Sequence, residues 1–176
     1  MVQVRDKFFT KLISKEEIST RVLELAERIS REYAGLNPLF IIVLNGSFIF
    51  AADLLRALSI PAEMSFVKLS SYSGTSSTGN ILTEIGLKEN PEGRHIIIVE
   101  DIVDTGRTLF AFIPEIEKHH PASVKIAALL SKPEALACDI HADYVCFEIA
   151  NKFVVGYGLD YDGLGRNFPD IYEVVS

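Results

Sequence analysis

Two uninterrupted apolar runs constrain the fold of this chain more than any other feature. Residues 39–44 are all apolar, and residues 95–99, His-Ile-Ile-Ile-Val, give the strongest strand pattern. A strand that is apolar on both faces is typical of a parallel sheet covered by helices on both sides. Segments with helical patterning separate the runs, so we predict an α/β fold with a mostly parallel central sheet flanked by helices. Functional sites in such sheets lie at the carboxyl ends of the strands.

The other predicted elements alternate along the chain without an internal repeat or a linker. The first helix spans residues 15–34, with a capping box of Ser14 and Glu17 at its start and Gly35 at its end. Two more helices are predicted at residues 48–58 and 106–119, the second interrupted by Pro114, and further strands at residues 62–67, 81–86, 124–130, 144–149 and 153–155. The glycine-rich tail is predicted to be mostly loop. A length of 176 residues fits a single domain, residues 1–176.

Charge and composition argue against several classes of partner. The chain has a net charge of −7 and no basic run longer than two residues, so we expect no nucleic acid partner. No apolar stretch reaches the ~18 residues that cross a bilayer, and no signal-peptide pattern is present, so we expect a cytoplasmic protein that does not bind membranes. The two cysteines, Cys138 and Cys146, form no CxxC motif and are expected to be small buried side chains.

A polar segment lies between two predicted strands. Nine of the ten residues at 70–79 are Ser, Thr or Gly, and such a composition cannot bury itself. A linker is one interpretation, but the strands on both sides favour a mobile loop that closes over a site. The spacing of Gly74 and Gly79 is similar to that of a P-loop, yet Asn80 stands where that motif requires Lys, so we reject this interpretation.

Residues 100–108 contain the chemistry-bearing cluster of the chain. Glu100, Asp101 and Asp104 follow the buried strand, and Thr-Gly-Arg-Thr then opens a helix. The free N–H groups of a helix N-terminus suit a phosphate, whereas carboxylates suit sugar hydroxyls or Mg²⁺. One ligand satisfies both halves, namely a sugar phosphate with a free diol. The alternative is a simple helix cap followed by solvated acids.

Several segments resemble a known family. Residues 99–108 resemble the phosphoribosyl pyrophosphate (PRPP) motif of type I phosphoribosyltransferases. Four further segments resemble that family's hypoxanthine-guanine branch. Residues 44–48 resemble its pyrophosphate loop, and residues 71–72 its flexible catalytic loop. Residues 130–132 resemble the strand end with its purine-reading Lys, and residues 152–161 its purine pocket. The resemblance implies the type I phosphoribosyltransferase fold, with a small hood and a mobile catalytic loop.

The resemblance also implies which residues handle PRPP. Glu100 and Asp101 would hold the ribose hydroxyls and Mg²⁺, and Asp160 would bind a second Mg²⁺ through water. The 5′-phosphate would be held by Asp104, Thr105, Gly106, Arg107 and Thr108, and the leaving pyrophosphate by Asn45, Gly46 and Arg166. The Leu44–Asn45 peptide is expected to be cis. Asn45 stands where family members often carry a basic residue.

The resemblance implies a further set of residues that bind the purine. By resemblance, Asp104 would be the general base on the purine ring N–H, and Lys132 would donate to the 6-oxo group and disfavour adenine. Phe153 would stack on the purine face, while the backbone of Val154 and Asp160 would read the other edge. Tyr157 and Tyr161 are assigned to packing.

The implied activity is that of a purine salvage enzyme. It would convert hypoxanthine and guanine, with PRPP and Mg²⁺, into IMP and GMP plus pyrophosphate. Its catalytic residues would be Asp104, Arg166 and Tyr72, the last sealing the closed site. Two alternatives remain open, a preference for xanthine and a regulator with weak catalysis. The resemblance suggests a homodimer or homotetramer.

Overall fold

The computed structural model describes residues 1–71 and 81–175. In chain order its elements are β1 (Val2–Val4), β2 (Lys7–Ile13), α1 (Lys15–Glu32), β3 (Leu39–Leu44), α2 (Phe48–Ala57), β4 (Glu63–Ser71), β5 (Ile81–Ile85), β6 (His95–Val103), α3 (Arg107–Glu117), β7 (Ser123–Ser131), a 3₁₀ turn (Pro133–Ala135), β8 (Tyr144–Glu148), β9 (Val154–Val155) and β10 (Ile171–Val174). Most of the predicted mobile loop, including Tyr72, lies outside the described residues.

A six-stranded sheet in the order β5-β4-β3-β6-β7-β8 forms the centre of the molecule. Five of these strands are parallel, and β5 pairs antiparallel with β4 at one edge. Strand β3 has the predicted bounds, and its residues from Leu39 to Val43 are buried. The expected mostly parallel sheet is therefore confirmed, and the carboxyl ends of β3, β6 and β7 lie side by side.

Helices cover both faces of this sheet. Helix α1 starts at the predicted capping box, in which the Glu17 N–H donates to Ser14 Oγ at 3.2 Å and the Ser14 N–H donates to Glu17 Oε2 at 2.9 Å. The apolar side chains of α1 and α2 pack in one core with Phe40 and Ile42 of β3. Those of α3 pack in a second core with the alternate residues of β3. The alternation along one strand thus assigns each face its own helices.

A second, four-stranded sheet in the order β1-β2-β10-β9 forms the small hood. The sequence predicted only β9 of these strands, and the prediction of a mostly loop tail is wrong for β10. Strand β2 buries only Phe9 and Ile13, so it lacks the continuous apolar pattern of the central strands. Its partner β10 is distant in sequence, with Ile171 opposite Ile13, and short-range patterning cannot indicate such a pairing.

The structure also bears on the predicted lack of a membrane span and on the two cysteines. No helix within residues 1–71 and 81–175 combines the length and apolarity needed to cross a bilayer. Both cysteines are free; Cys146 is buried as expected, whereas Cys138 is partly exposed. Burial raises the pKa of the Cys146 thiol to about 12, which keeps it unreactive.

Candidate active site

The acidic residues after the apolar run lie within strand β6 itself. We predicted a strand over residues 95–99, but the ladder continues to Val103, so Glu100 and Asp101 are strand residues and do not lie in the following loop. Glu100 Oε2 is enclosed and has no hydrogen-bond partner among the described residues. Burial, with the nearby charge of Asp101, raises the pKa of Glu100. An enclosed, unpartnered carboxylate oxygen is suited to a hydroxyl or a cation supplied by a ligand.

Asp101 faces the turn after β3. Its Oδ1 accepts a hydrogen bond from the Ile102 N–H at 2.9 Å, and burial raises the pKa of Asp101 to about 6. A Cβ on Gly46 would lie 1.5 Å from Asp101 Oδ2, so only glycine lets these two segments approach this closely. The backbone of the Asn45–Ser47 turn and the Asp101 carboxylate therefore border the same space.

The start of α3 forms a phosphate-sized cradle. Gly106 caps the helix with φ of 75°, a left-handed conformation that favours glycine. A Cβ there would also lie 3.3 Å from Ile140 Cβ. A cavity of about 80 Å³ lies at this turn and is lined by Glu100 and residues 102–109. The Arg107 N–H makes only a long hydrogen bond of 3.5 Å to Thr105 Oγ1, and N–H groups at the start of a helix are suited to an anion.

Lys132 and Asp104 meet at the ends of β7 and β6. Lys132 Nζ lies 3.0 Å from Asp104 Oδ2, and the exposed fraction of the side chain is 7% for Lys132 and 47% for Asp104. The Lys132 N–H also donates to the Val103 carbonyl at 2.9 Å. A buried cation with an acidic partner is not a solvated surface charge. The pair therefore places an acceptor and a donor next to each other at the edge of the sheet.

The turn after β3 contains the expected cis peptide between Leu44 and Asn45. The Ser47 hydroxyl donates back to the Val43 carbonyl, and the Phe48 N–H donates to the Asn45 carbonyl at 3.4 Å, which closes the turn into α2. Asn45 is exposed, whereas Gly46 is buried.

A loop between β9 and β10 packs against this turn. A Cβ on Gly158 would lie 2.0 Å from the Gly46 carbonyl oxygen. Arg166 Nη1 donates to the Gly158 carbonyl at 2.6 Å, and Nη2 lies 2.6 Å from Asp160 Oδ1. Asp160 Oδ2 accepts from the Gly163 N–H at 2.7 Å. The arginine is thus fixed beside the Asn45–Ser47 turn, and both oxygens of Asp160 have protein partners.

The three comparisons with known proteins agree with this geometry. A family model described as a phosphoribosyl transferase domain matches residues 12–162. The chain belongs to the phosphoribosyl transferase family. The predicted family membership and the predicted type I phosphoribosyltransferase fold are therefore confirmed, and so is the prediction of an enzyme.

Named relatives of this phosphoribosyltransferase cover nearly its whole length. It is 45% identical over 159 residues to the hypoxanthine-guanine phosphoribosyltransferase of Streptococcus thermophilus strain CNRZ 1066, spanning 90% of this chain and 88% of the relative. It is 44% identical over 161 residues to that of Streptococcus pneumoniae strain R6, spanning 91% and 89%. A solved hypoxanthine-guanine phosphoribosyltransferase from Bacillus anthracis has a TM-score of 0.90 and 39% identity, covering 97% of this chain and 99% of the other.

Two further predicted site residues of the phosphoribosyltransferase, Phe153 and Val154, lie at strand β9 of the hood. The Phe153 ring is 44% exposed, with its centroid 5.6 Å from that of Tyr161, and Val154 beside it is buried in β9. The Phe153 ring also contacts that of Phe9, with the two centroids 6.4 Å apart, so it is partly exposed at the edge of an aromatic cluster. Tyr72 lies outside the described residues, so its predicted role is untested.

Sequence reasoning missed one pair near the site. Tyr157 is buried, as expected for a packing residue, but its hydroxyl also donates to Asp53 Oδ2 at 2.6 Å. Asp53 lies on α2, far from Tyr157 in sequence, and no local pattern marks it as a partner. The pair lines a cavity of about 500 Å³ between α1, α2 and the loop before β10, away from the acidic strand ends.

Proposed function

We propose that this phosphoribosyltransferase transfers the phosphoribosyl group of PRPP to hypoxanthine and guanine, forming IMP and GMP with release of pyrophosphate. The observation that carries the proposal is the buried Lys132 held 3.0 Å from Asp104, a residue that lines the cavity at the start of α3. Relatives at 44–45% identity carry the name hypoxanthine-guanine phosphoribosyltransferase, which supports the same substrates.

The PRPP end of the reaction is assigned to the turn from Asp104 to Thr108 and to Glu100 and Asp101. The cavity at the start of α3 would hold the 5′-phosphate through backbone N–H groups, with Thr105, Arg107 and Thr108 around it. The unpartnered Glu100 Oε2 and the enclosed Asp101 would then face the ribose hydroxyls.

The same carboxylates fit Mg²⁺, a cation that prefers oxygen ligands. No group of three or more metal-ligating side chains occurs in the part of the chain that the structure describes. We therefore assign the cation mainly to substrate oxygens and water, with Glu100 and Asp101 as the nearest protein carboxylates and Asp160 acting only through water. Bound Mg²⁺ would neutralise charge on the leaving pyrophosphate.

Asp104 is proposed as the general base. Its carboxylate would take the proton from the purine ring nitrogen, whose electron pair forms the bond to C1 of the ribose as the bond to pyrophosphate breaks. Arg166, with backbone N–H groups of Asn45 and Gly46, would stabilise the departing oxygens. Arg166 is fixed beside the turn by its bonds to Gly158 and Asp160, so little reorganisation is needed.

Base choice is assigned to Lys132. A cation that donates to the purine 6-oxo group is repelled by the amino group of adenine, which donates at the same position. Phe153 would stack on the ring, and the backbone at Val154 and Asp160 would contact the opposite edge. Tyr72 is proposed to seal the site, and residues 1–176 to act as one domain.

A homodimer or homotetramer is proposed for the assembled enzyme. Phe48, Met64 and Phe66 are large apolar side chains exposed by 44–48% around α2 and β4, which is typical of a surface that another subunit covers. In a solved hypoxanthine phosphoribosyl transferase of Trypanosoma cruzi, with a TM-score of 0.90 and 40% identity, the C-terminal region is described as having a role in the oligomeric state and in enzymatic activity.

Initial rates with PRPP and Mg²⁺ against hypoxanthine, guanine, xanthine and adenine test the proposal. We expect nucleotide from the first two and little from adenine. A profile dominated by xanthine would keep the mechanism and overturn the substrate choice. PRPP binding without turnover on any base would instead indicate a regulator.

A further inference from the structure

Three consecutive residues before the Arg166 loop adopt left-handed backbone conformations. Their φ values are 105° at Gly156, 49° at Tyr157 and 106° at Gly158. A Cβ on Gly156 would lie 2.0 Å from the Asp170 carbonyl oxygen, and one on Gly158 would lie 2.0 Å from that of Gly46. The segment is therefore inserted between the hood and the Asn45–Ser47 turn. Of these three residues, Tyr157 is the one that is not glycine, and the left-handed conformation is energetically unfavourable for a residue with a side chain.

The Tyr157 side chain connects this strained segment to helix α2. Its hydroxyl donates to Asp53 Oδ2 at 2.6 Å, a short bond typical of a charged acceptor. Burial and the Asp53 charge raise the pKa of Tyr157, so the phenol remains a donor. Helix α2 begins at Phe48, directly after the Asn45–Ser47 turn. The bond therefore joins α2, which follows the Asn45–Ser47 turn, to the segment that leads into the loop with Arg166.

Both sides of the proposed pyrophosphate site depend on this junction. Gly158 contacts the Gly46 carbonyl, donates its N–H to the Arg166 carbonyl at 2.9 Å and accepts from Arg166 Nη1 at 2.6 Å. A shift of the Tyr157 segment would change the separation between Arg166 and Gly46.

We propose that Tyr157 and Asp53 are positioning residues that set the distance between the Asn45–Ser47 turn and Arg166, and thereby the affinity for the pyrophosphate group. The inference rests on the proposed function, since it assigns pyrophosphate to that space. Neither side chain needs to touch the substrate, because both act through the backbone of Gly158 and the start of α2.

The chain offers a matched control for a purely structural role. Tyr144 is also buried and also donates its hydroxyl to a carboxylate, that of Glu32. That bond joins α1 to β8, and neither residue belongs to either site loop. Asp53 also has a weak ion pair with the exposed Arg56 at 3.8 Å, so Arg56→Gln reports the loss of that contact alone.

The experiment compares Tyr157→Phe, Asp53→Ala and Asp53→Asn with Tyr144→Phe and Arg56→Gln. Tyr157→Phe and Asp53→Ala are each expected to raise the KM for PRPP and the Kd for pyrophosphate about tenfold, the usual effect of losing a hydrogen bond to a charged group. The KM for the purine should change less than about twofold, and the double variant should be no worse than either single one. Asp53→Asn retains an acceptor and should recover most of the affinity, whereas Tyr144→Phe should lower Tm only.

Two results would overturn the inference. One is a fall in Tm with unchanged pyrophosphate affinity in both Tyr157→Phe and Asp53→Ala. The other is an equal loss of affinity for purine and PRPP. If the unaltered enzyme forms no nucleotide, the proposed function fails. Calorimetric titration with pyrophosphate still tests the role of Tyr157 and Asp53 in that case. Equal pyrophosphate affinity in Tyr157→Phe and the unaltered protein would contradict that role.

Discussion

The phosphate half of the proposed site is built from one stretch of chain, whereas the pyrophosphate half joins segments that are distant in sequence. Residues 100–108 contain the carboxylates, the proposed general base and the lining of the cavity at the start of α3. The other half consists of the Asn45–Ser47 turn and the loop containing Gly158 and Arg166, held together by backbone contacts. A local motif is visible in the sequence, but a site made by the contact of two loops exists only in the folded chain.

Asp104→Asn tests whether the local half carries the chemistry. The amide keeps an acceptor for Lys132 but cannot take a proton, so kcat should fall roughly 10²–10⁴-fold. PRPP affinity, measured by calorimetry, should change little. Asp143→Asn is the control, because Asp143 pairs with Lys125 at 2.6 Å outside the site. Unchanged turnover in Asp104→Asn would remove Asp104 as the base.

Gly158→Ala tests the distant half. The added Cβ would lie 2.0 Å from the Gly46 carbonyl oxygen, and backbone atoms must then separate. We expect kcat/KM for PRPP to fall about 100-fold, which corresponds to roughly 3 kcal/mol. Gly35→Ala is the control, since Gly35 has φ of 77° but nothing within 4 Å of its Cβ position. A loss no greater than that of Gly35→Ala would show that the close approach is unimportant.

Lys132→Ala tests the proposed role of the Lys132–Asp104 pair in base choice. Loss of the buried donor should raise the KM for hypoxanthine about 10- to 100-fold and increase the relative rate with adenine. Lys125→Ala removes a similar but half-exposed ion pair and should leave base choice unchanged. Unaltered selectivity in Lys132→Ala would exclude Lys132 from the purine site.

Gly106→Ala is expected to have the smallest effect of the four. The left-handed conformation costs a side chain about 1 kcal/mol, and the neighbouring Ile140 Cβ at 3.3 Å can yield slightly. The KM for PRPP should rise only about three- to tenfold, since that free energy alone corresponds to about fivefold. Gly35→Ala again corrects for the backbone cost. A loss as large as that of Gly158→Ala would contradict the distinction between the two halves.

The sequence predicted the local features of the fold and missed those that depend on distant pairing. The apolar run of β3 and the capping box of Ser14 and Glu17 are local signals, and both are confirmed. Strand β6 was predicted too short, because the acids at its carboxyl end interrupt the apolar pattern while the ladder continues. Strands β1, β2 and β10 were missed, since none of them has a continuous apolar run.

The candidate site follows the same division. The order of residues 100–108 alone indicates a candidate ligand site, and the structure places these residues together at one strand end. The pairing of Asp104 with Lys132 follows from adjacent strands, so the sheet order had to be known first. No sequence pattern marks Asp53 as a partner of Tyr157, because the two residues meet only in the folded chain.

The pairing of β10 with β2 also bears on how the enzyme is made in the cell. Ile171 pairs with Ile13, and the loop with Arg166 lies between β9 and β10, so that loop is held at both ends only after β10 joins the hood. The central sheet contains no residue beyond β8 and can assemble earlier during synthesis. A nascent chain that has released β8 but not β10 would therefore have every strand of the central sheet and the turn at the start of α3, while the loop with Arg166 would not yet be fixed beside the Asn45–Ser47 turn.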